Sequence, residues 1–275
     1  MSHSKVSQKD VLILDSGIGG LSVAREIHLA LPDVSTAYLA DFSFFPYGEK
    51  SQPELNHRVT SIVSQCIKLF EPKVLVVACN TASTVVLPTL RKEFEVPVVG
   101  VVPAIHPAAR LTKSGVIALL ATKGTIEGNY IDGLVQSAGR ELRLVKVASQ
   151  RLVEIAEEKL RGIPPNPEEL ISICRPIFSS HLGVPDVVVL GCTHFPHLTN
   201  ELLSSVSSQI SWIDSGKAIA NRVGVLLQSS NCHQLDNSHV FTGTTPVQDL
   251  PEKLKLSIET MGFDLLPWRC DEPIA

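Results

Sequence analysis

The chain has 275 residues, of which 44% are hydrophobic and 19% charged, as in a soluble globular protein of one large or two smaller domains. The formal net charge is −4 and there is no basic stripe, which argues against nucleic acid as a partner. Residues 1–10 lack the apolar core of a signal peptide, and the longest uncharged apolar stretch, 96–109, is shorter than the roughly 20 residues that span a bilayer. We therefore expect a cytoplasmic protein with no membrane partner.

Short apolar runs, continuous rather than alternating, are the most prominent pattern along the chain. In chain order, the residues predict strands over 11–14 and 36–40, a helix over 54–70, strands over 74–78, 96–102 and 116–120, helices over 151–161 and 167–180, and a strand over 187–190. Continuous runs rich in β-branched residues are typical of strands buried on both faces of a parallel sheet. Strands that alternate with helices indicate an α/β fold.

A weak internal repeat relates two parts of the chain. Residues 73–83 (KVLVVACNTAS) and 186–197 (DVVVLGCTHFPH) each run from a predicted strand through a small residue to a cysteine, then to polar residues and a predicted helix. The repeat predicts two similar parallel-sheet α/β domains with a pseudo-twofold relation. Because ligands of such sheets bind at the carboxyl ends of the strands, we expect the active site in the cleft between the two domains.

The chain has six cysteines, and none of them form a CxxC pair. In a reducing compartment they are expected to be free thiols. Cys66 and Cys174 fall within helical patterns typical of packing residues. Cys232 and Cys270 lie in less regular polar stretches and receive no role. The two cysteines that end predicted strands are therefore the candidates for chemistry.

Cys79 and Cys192 occur in matching settings after buried strands. A thiol that precedes a helix lies near free N–H groups and the positive end of the helix dipole, which favours the thiolate. For Cys79 alone, an ordinary core cysteine is the better interpretation, but Cys192 repeats the setting and adds an imidazole, His194, two residues later. A zinc site formed by Cys192, His194 and His197 is disfavoured because the spacing matches no common zinc pattern, so we expect no metal.

A glycine-rich segment, DSGIGG at 15–20, follows the first predicted strand. Its glycines let backbone N–H groups approach an anion, and both a dinucleotide and a carboxylate are compatible with it. For the dinucleotide, Asp41 follows the second strand at about the right distance, but Ser22 stands where Gly or Ala is expected. Asp15, facing a cysteine, is also a candidate to accept or relay a proton. A second loop, PYG at 46–48, is either an ordinary turn or a lid that offers N–H groups to a carboxylate.

Two reactive thiols suit the inversion of a stereocentre by proton transfer. The reaction needs a base on one face of the carbon and an acid on the other, and the roles exchange in the reverse direction. The carbanion requires hydrogen bonds and the exclusion of water, and one thiol must be ionised while the other is protonated. Asp15 near one thiol and His194 near the other would bias which thiol holds the proton. Neither a Walker-type phosphate loop nor a lysine in a pyridoxal setting is evident, so we expect no cofactor.

Six strings resemble, in order and over roughly residues 10–223, the glutamate racemases of bacterial cell-wall synthesis. They are LDSGIGGLSV (14–23), PYGEKS (46–51), VVACNTAS (76–83), PVVGVVPAI (97–105), LLATKGT (119–125) and GCTHFPHL (191–198). The resemblance implies a cofactor-independent interconversion of L- and D-glutamate that supplies D-glutamate for peptidoglycan. It also implies a first domain of residues 1–98 plus 213–275, a second domain of residues 99–212, and a homodimer as a possible assembly.

The same resemblance implies roles for individual residues. Cys79 is the implied base toward D-glutamate, and Cys192 is the implied base toward L-glutamate. Glu154, in the stretch RLVEIAEE, resembles the acidic residue paired with the second catalytic side, where it would support acid–base chemistry. The residues that match the family's substrate contacts are Asp15, Ser16, Tyr47, Gly48, Asn80, Thr81, Thr193 and His194, with Thr122 and Thr125 as further hydroxyls.

The chain departs from the family's pattern at a few positions. Phe195 stands where Tyr is common, and His197 stands where an apolar residue is common. The segment before Asp10 is short and lacks the extension of members activated by a peptidoglycan precursor, so we expect no such regulation. The main alternatives are an aspartate racemase of the same superfamily and a nucleotide- or small-ligand-binding α/β protein whose cysteines are structural. A metal-dependent hydrolase that uses Cys192 and His194 is a more distant alternative.

Overall fold

The computed structural model describes residues 8–206, 210–228 and 237–268, which divide into two compact units. The first unit consists of the described residues of Met1–Val101 and Gly216–Ala275, and the second consists of those of Val102–Ser215. Each unit is built on its own parallel sheet with helices, which confirms the prediction of two parallel-sheet α/β regions. Within the described ranges, none of the helices is both long enough and apolar enough to cross a bilayer.

The strands and helices alternate along most of the chain. The strands are β1 (Val11–Asp15), β2 (Thr36–Ala40), β3 (Val74–Val77), β4 (Val98–Gly100), β5 (Val116–Ala121), β6 (Arg143–Ala148), β7 (Val187–Leu190), β8 (Ser211–Ile213), β9 (His239–Gly243) and β10 (Phe263–Leu265). The helices are α1 (Leu21–Ala30), α2 (Gln52–Phe70), α3 (Asn80–Glu93), α4 (Ile105–Leu111), α5 (Lys123–Glu127), α6 (Asn129–Gln136), α7 (Arg151–Leu160), α8 (Pro167–Phe178), α9 (Thr199–Ser204), α10 (Gly216–Gln228) and α11 (Glu252–Thr260).

The first unit contains a six-stranded parallel sheet in the order β10-β9-β2-β1-β3-β4. All residues of β1, β2 and β3 are buried, which explains why their sequences are continuous apolar runs. Helix α2 begins at a capping box in which Ser51 and Glu54 bond reciprocally, and it buries a stripe that includes Val59 and Ile62. Each such side chain contributes roughly 1.5–3 kcal/mol when it leaves water.

The second unit contains a four-stranded parallel sheet in the order β6-β5-β7-β8. Ile117 and Leu119 of β5 pack with Val187 and Val189 of β7, and Ile105 of α4 covers them. In the first unit, β1 lies between β2 and β3. In the second unit, β5 lies between β6 and β7. Residues that follow these three strands therefore gather at one edge of each sheet, where ligands of α/β sheets bind.

Two local predictions differ from the structure. The strand expected over 96–102 is reduced to β4, because Pro97 and Pro103 on either side lack the N–H that a strand donates. After Cys192 the chain forms a 3₁₀ helix, Phe195–Leu198, and then the short helix α9, where one regular helix was expected. The strand predicted over 36–40 coincides with β2.

Cys66 and Cys174 are packing residues, as predicted. Cys66 is fully buried in α2, within the core of the first unit, and Cys174 is fully buried in α8. Burial raises the pKa of the Cys174 thiol to about 11, so it stays protonated at neutral pH. Cys232 and Cys270 lie outside the described residues.

Candidate active site

Cys79 lies directly beyond β3, at the N-terminus of α3. The amide of Ala78 donates to the carbonyl of Leu14 at 2.7 Å, which extends the β1–β3 pairing by one residue. Cys79 then has extended backbone angles and serves as the N-cap residue of α3, whose Ser83 amide donates to its carbonyl at 2.9 Å. The free N–H groups of the first helical turn create a partial positive charge that stabilises an anion. Cys79 is 9% exposed.

Cys192 holds the corresponding position beyond β7. The amide of Gly191 donates to the carbonyl of Leu120 at 2.8 Å, which extends the β5–β7 pairing just as Ala78 extends the other one. A Cβ atom on Gly191 would lie 2.6 Å from Cδ1 of Leu119 and 3.1 Å from Cβ of Ala121, so only glycine allows this close approach. Cys192 is 8% exposed.

The equivalence of the two units extends to the neighbouring strand end, but its chemistry does not. The amide of Asp41 donates to the carbonyl of Asp15 at 2.9 Å, and the amide of Ser149 donates to the carbonyl of Ala121 at 3.0 Å. Ala121 therefore occupies, in the second unit, the place that Asp15 occupies in the first. An acidic side chain at this strand end is present only on the side of Cys79.

His194 and Glu157 provide the charged groups on the side of Cys192. The Sγ atom of Cys192 lies 3.7 Å from Nδ1 of His194, whose Nε2 lies 3.0 Å from Oε1 of Glu157. Burial lowers the pKa of His194, but the bonds to Cys192 and Glu157 outweigh it and hold this pKa well above its usual range. Burial raises the pKa of Glu157, and His194 and then Arg161 bring it below the ordinary value. The pair is therefore an imidazolium beside a carboxylate.

The assignment of Glu154 to this position is corrected by the structure. The Glu154 side chain is 51% exposed and forms an ion pair with Arg151 at 3.1 Å, one helical turn before the Glu157 side chain, which is 9% exposed. The stretch RLVEIAEE holds three glutamates, and only burial and the approach of His194 distinguish them. The contact with His194 belongs to Glu157.

The Asp15 carboxylate accepts hydrogen bonds from both ends of the glycine-rich turn. Its Oδ1 accepts from the Ser16 amide at 2.8 Å and its Oδ2 accepts from the Gly20 amide at 2.6 Å, and the side chain is fully buried. A Cβ atom on Gly20 would lie 2.8 Å from Cβ of Ala78 and 2.9 Å from the Tyr38 hydroxyl. Asp15 thus organises the residues around β1 and β3, next to the strand end that carries Cys79.

Asp41 and Arg58 form a buried ion pair beneath the loop that carries Tyr47. Arg58 donates through Nε and Nη2 to the two carboxylate oxygens of Asp41 at 3.0 and 2.7 Å, and Thr244 donates to Oδ1 at 2.9 Å. The Tyr47 hydroxyl donates to Oδ2 at 3.0 Å. Burial, followed by the charges of Asp41, Cys79 and Asp15, raises the pKa of Tyr47 well above its usual range, so Tyr47 remains a neutral phenol.

The sequence does not predict this ion pair, since its pattern assigns Asp41 only to a nucleotide contact. A signal was present at Arg58, a charged residue within the apolar stripe of α2 between Leu55 and Val59. A cation on the buried face of a helix requires a buried anion as partner. The most suitable anion is an acidic residue at the end of a neighbouring strand.

The remaining predicted contact residues are distributed over both units. Asn80 begins α3, is 5% exposed, and its Oδ1 has no hydrogen-bond partner among the described residues. Such a buried acceptor leaves a place for a donor from a ligand. In the second unit, the hydroxyls of Thr122 and Thr125 lie 3.0 Å apart at the end of β5, and Thr193 is 5% exposed. Gly48 is exposed, with no atom near the place of a Cβ.

Ser16, Thr81 and Phe195 each lie within three residues of a candidate catalytic side chain. Ser16 is buried beside Asp15, Thr81 lies in the first turn of α3, and Phe195 is fully buried in the 3₁₀ helix that follows Cys192. In the part of the chain that the structure describes, no group of three or more His, Cys, Asp or Glu side chains is arranged to hold a metal ion.

Comparison with known proteins places this arrangement in a family. The chain matches the Asp/Glu/hydantoin racemase family over residues 19–223. The glutamate racemase of Vibrio vulnificus is 43% identical over 266 residues, covering 94% of this chain and 97% of that protein. The glutamate racemase of Erwinia tasmaniensis is 47% identical over 263 residues, covering 96% of this chain and 93% of that protein.

Solved structures agree with the sequence comparison. The crystal structure of Escherichia coli glutamate racemase in complex with L-glutamate and the activator UDP-MurNAc-ala superposes with a TM-score of 0.87 and 42% identity, covering 94% of this chain and 97% of that one. The crystal structure of glutamate racemase isoform RacE1 of Bacillus anthracis superposes with a TM-score of 0.76 and 29% identity, covering 95% of this chain and 98% of that one. The chain belongs to the Asp/Glu/hydantoin racemase family and is an isomerase.

Proposed function

We propose that this protein interconverts L- and D-glutamate without a cofactor, using Cys79 and Cys192 as its two acid–base groups. The observation that carries the proposal is the equivalence of the two thiols, each lying one residue beyond an extended strand pairing in its own unit. Glutamate as substrate is supported by the names of relatives that are 43–47% identical over nearly the whole chain. L-glutamate is bound in the structure of the Escherichia coli relative.

In the proposed reaction, the two thiols act on opposite faces of the α-carbon of bound glutamate. The Cys192 thiolate removes the α-proton of L-glutamate, and the Cys79 thiol delivers a proton to the opposite face, which yields D-glutamate. In reverse, the Cys79 thiolate acts on D-glutamate and Cys192 is the acid. One S–H bond forms as one C–H bond breaks, and the second step is the converse, so no redox partner is needed.

The two thiols are supported by different groups. Beside Cys192, the imidazolium of His194 stabilises the thiolate and is itself held by Glu157. Beside Cys79, the stabilising charge is the N-terminus of α3, and Asp15 holds the neighbouring glycine-rich turn. The proposed roles of Asp15 and His194 in acid–base support rest on this asymmetry.

Substrate binding is proposed for polar groups that surround the thiols. The buried Oδ1 of Asn80 is an acceptor suited to the substrate ammonium, and the hydroxyls of Thr81, Thr122, Thr125 and Thr193 suit the carboxylates. The backbone amides of the buried Tyr47 and the exposed Gly48, together with the Ser16 hydroxyl, are further donors in this proposal. We propose that the D-glutamate is made in the cytoplasm and used for peptidoglycan.

The test is to incubate the purified protein with L-glutamate in deuterated water, without any additive, and to follow α-deuterium incorporation by NMR together with optical rotation. Both signals are expected to change together until the two enantiomers are equal. The same assay with L-aspartate tests the aspartate racemase alternative. Absence of exchange with glutamate in the folded protein would refute the proposal.

A further inference from the structure

A continuous chain of contacts leads from the second thiol to the protein surface, all within the second unit. From Cys192 the contacts pass through His194 at 3.7 Å to Glu157 at 3.0 Å. The second carboxylate oxygen of Glu157 accepts from Nη2 of Arg161 at 3.1 Å. Exposure rises along this chain from 5% for the His194 side chain to 9% for Glu157 and 41% for Arg161.

The buried carboxylate of Glu157 needs hydrogen-bond donors at both of its oxygens. A carboxylate that is nine-tenths buried loses most of its hydration, and the charge is retained only when both oxygens accept hydrogen bonds. His194 binds Oε1, and Arg161 binds Oε2 from one helical turn further along. Arg161 is the C-cap residue of α7, and its side chain turns back along the helix toward Glu157.

We propose that Arg161 is a positioning residue for the second catalytic side, because it keeps Glu157 ionised and directed at His194, which in turn stays an imidazolium beside Cys192. This inference rests on the proposed function. Arg161 touches neither the thiol nor the proposed substrate, and it acts through Glu157 and His194. Without Arg161, Glu157 keeps one fewer charged donor, so its pKa rises and the pKa of His194 falls.

The competing explanation is an ordinary surface ion pair between residues four apart on a helix, which contributes only a few tenths of a kcal/mol. Two other cations of α7, Lys159 and Arg151, bond different carboxylates or carbonyls. Lys159 donates to the carbonyl of His197 and binds Glu201, and Arg151 binds Glu158, Glu154 and Glu169. Arg161, by contrast, bonds Glu157 directly, at 3.1 Å.

The test compares Arg161→Gln with the conservative Arg161→Lys and with Arg151→Gln. Arg151 is a matched control because it lies on the same helix, is 39% exposed, and binds glutamates that do not contact His194. The first readout is the pH dependence of kcat/KM in the full-length enzyme. Arg161→Gln is expected to move the alkaline limb to lower pH by about half a unit to one unit, a three- to tenfold loss on that limb.

The direction of the expected shift in the alkaline limb follows from the charges of Glu157 and His194. Activity requires the His194 imidazolium, so it falls as pH rises through the pKa of His194, and a lower pKa brings that fall earlier. Arg161→Lys keeps a cation and is expected to restore most of the wild-type profile. Arg151→Gln is expected to leave the profile unchanged.

The second readout does not depend on activity. The imidazole of His194 is titrated by NMR in protein labelled at histidine, with His194→Gln used to assign its signal. A lower His194 pKa in Arg161→Gln, but not in Arg151→Gln, supports the inference even if glutamate proves not to be the substrate. An unchanged His194 titration and an unchanged pH profile in Arg161→Gln would overturn it.

Discussion

Gly191 packs directly against Leu119, and a methyl group on Gly191 would lie 2.6 Å from the Cδ1 atom of Leu119. Leu119 is fully buried in β5, and Ala121 and the carbonyl of Leu120 close the remaining space at 3.1 and 3.3 Å. The backbone that presents Cys192 is therefore determined by close contact between two adjacent strands. The other unit achieves the same pairing with alanine, Ala78, in place of glycine.

Gly191→Ala is expected to lower the free energy of unfolding by about 1–3 kcal/mol, because the core around Leu119 has no room for the methyl group. The same change displaces Cys192, so kcat falls as well. Urea unfolding and the racemisation assay measure the two effects.

The control is Gly133→Ala in α6, where a Cβ meets nothing within 4 Å. Replacing a helical glycine by alanine at an open position is expected to stabilise by about 0.5–1 kcal/mol. Equal effects of the two substitutions would contradict the packing argument.

Glu157→Gln is expected to reduce kcat by about ten- to a hundredfold, because the neutral amide no longer stabilises the His194 imidazolium. The matched variant Glu154→Gln removes a charge one turn earlier, from a side chain that is 51% exposed and bonded to Arg151. Its activity is expected to stay within about twofold of wild type. Steady-state kinetics on both variants distinguish the two glutamates, and a larger loss in Glu154→Gln would restore the assignment made from the sequence.

Arg58→Lys is expected to lower the free energy of unfolding by about 1–3 kcal/mol and to raise KM. A lysine ammonium is a single point charge and cannot replace the two parallel bonds from Nε and Nη2 to Asp41. Asp41 also holds the Tyr47 hydroxyl, so the loop of Tyr47 loses its anchor. Arg25→Lys, whose side chain is 53% exposed, is the control and should change neither quantity. A change in Arg25→Lys as large as in Arg58→Lys would contradict this account.

His28 is expected to make the protein less stable in acid. His28 stacks on His239 with ring centroids 3.7 Å apart, and Thr36 bridges the two rings at 3.0 Å from each. Burial and then the charge of His239 lower the pKa of His28 to about 3. Since the unfolded chain takes up this proton near pH 6.5, stability is lost as pH falls below that value, by up to about 1.4 kcal/mol per pH unit.

Urea unfolding between about pH 7 and pH 5 measures this slope. His28→Gln is expected to flatten it, whereas His181→Gln, at an exposed position of the second unit, is expected to leave it unchanged. A slope in His28→Gln equal to that of wild type would show that the acid sensitivity has another origin.

The sequence predicts those helices and strands whose formation depends on the spacing of nearby apolar residues. The helices that became α7 and α8 have apolar residues at helical spacing, and the apolar run over 36–40 has the length of a buried strand. The strand over 96–102 is shorter than its apolar content predicts, because Pro97 and Pro103 lack the N–H groups that strand pairing needs. In each of these regions the outcome depended on residues adjacent in the sequence.

The sequence predicts the site residues that follow recognisable strands. It does not predict those whose contacts depend on tertiary packing. Cys79 and Cys192 end strands that are visible in the sequence. The choice between Glu154 and Glu157 depends on which turn of α7 faces His194, and three glutamates in one stretch carry no such information. The ion pair of Arg58 with Asp41 forms because α2 approaches the end of β2. The sequence does not show this contact, since it joins distant parts of the chain.

The proposed two-thiol mechanism is tested most directly by hydrogen exchange in the single-cysteine variants. In deuterated water, Cys79→Ala retains Cys192 and is expected to exchange the α-hydrogen of L-glutamate only, with retention of configuration. Cys192→Ala is expected to exchange the α-hydrogen of D-glutamate only, and neither variant is expected to interconvert the enantiomers. Racemisation at near wild-type rate by either variant, or exchange of both enantiomers by one of them, would contradict the account.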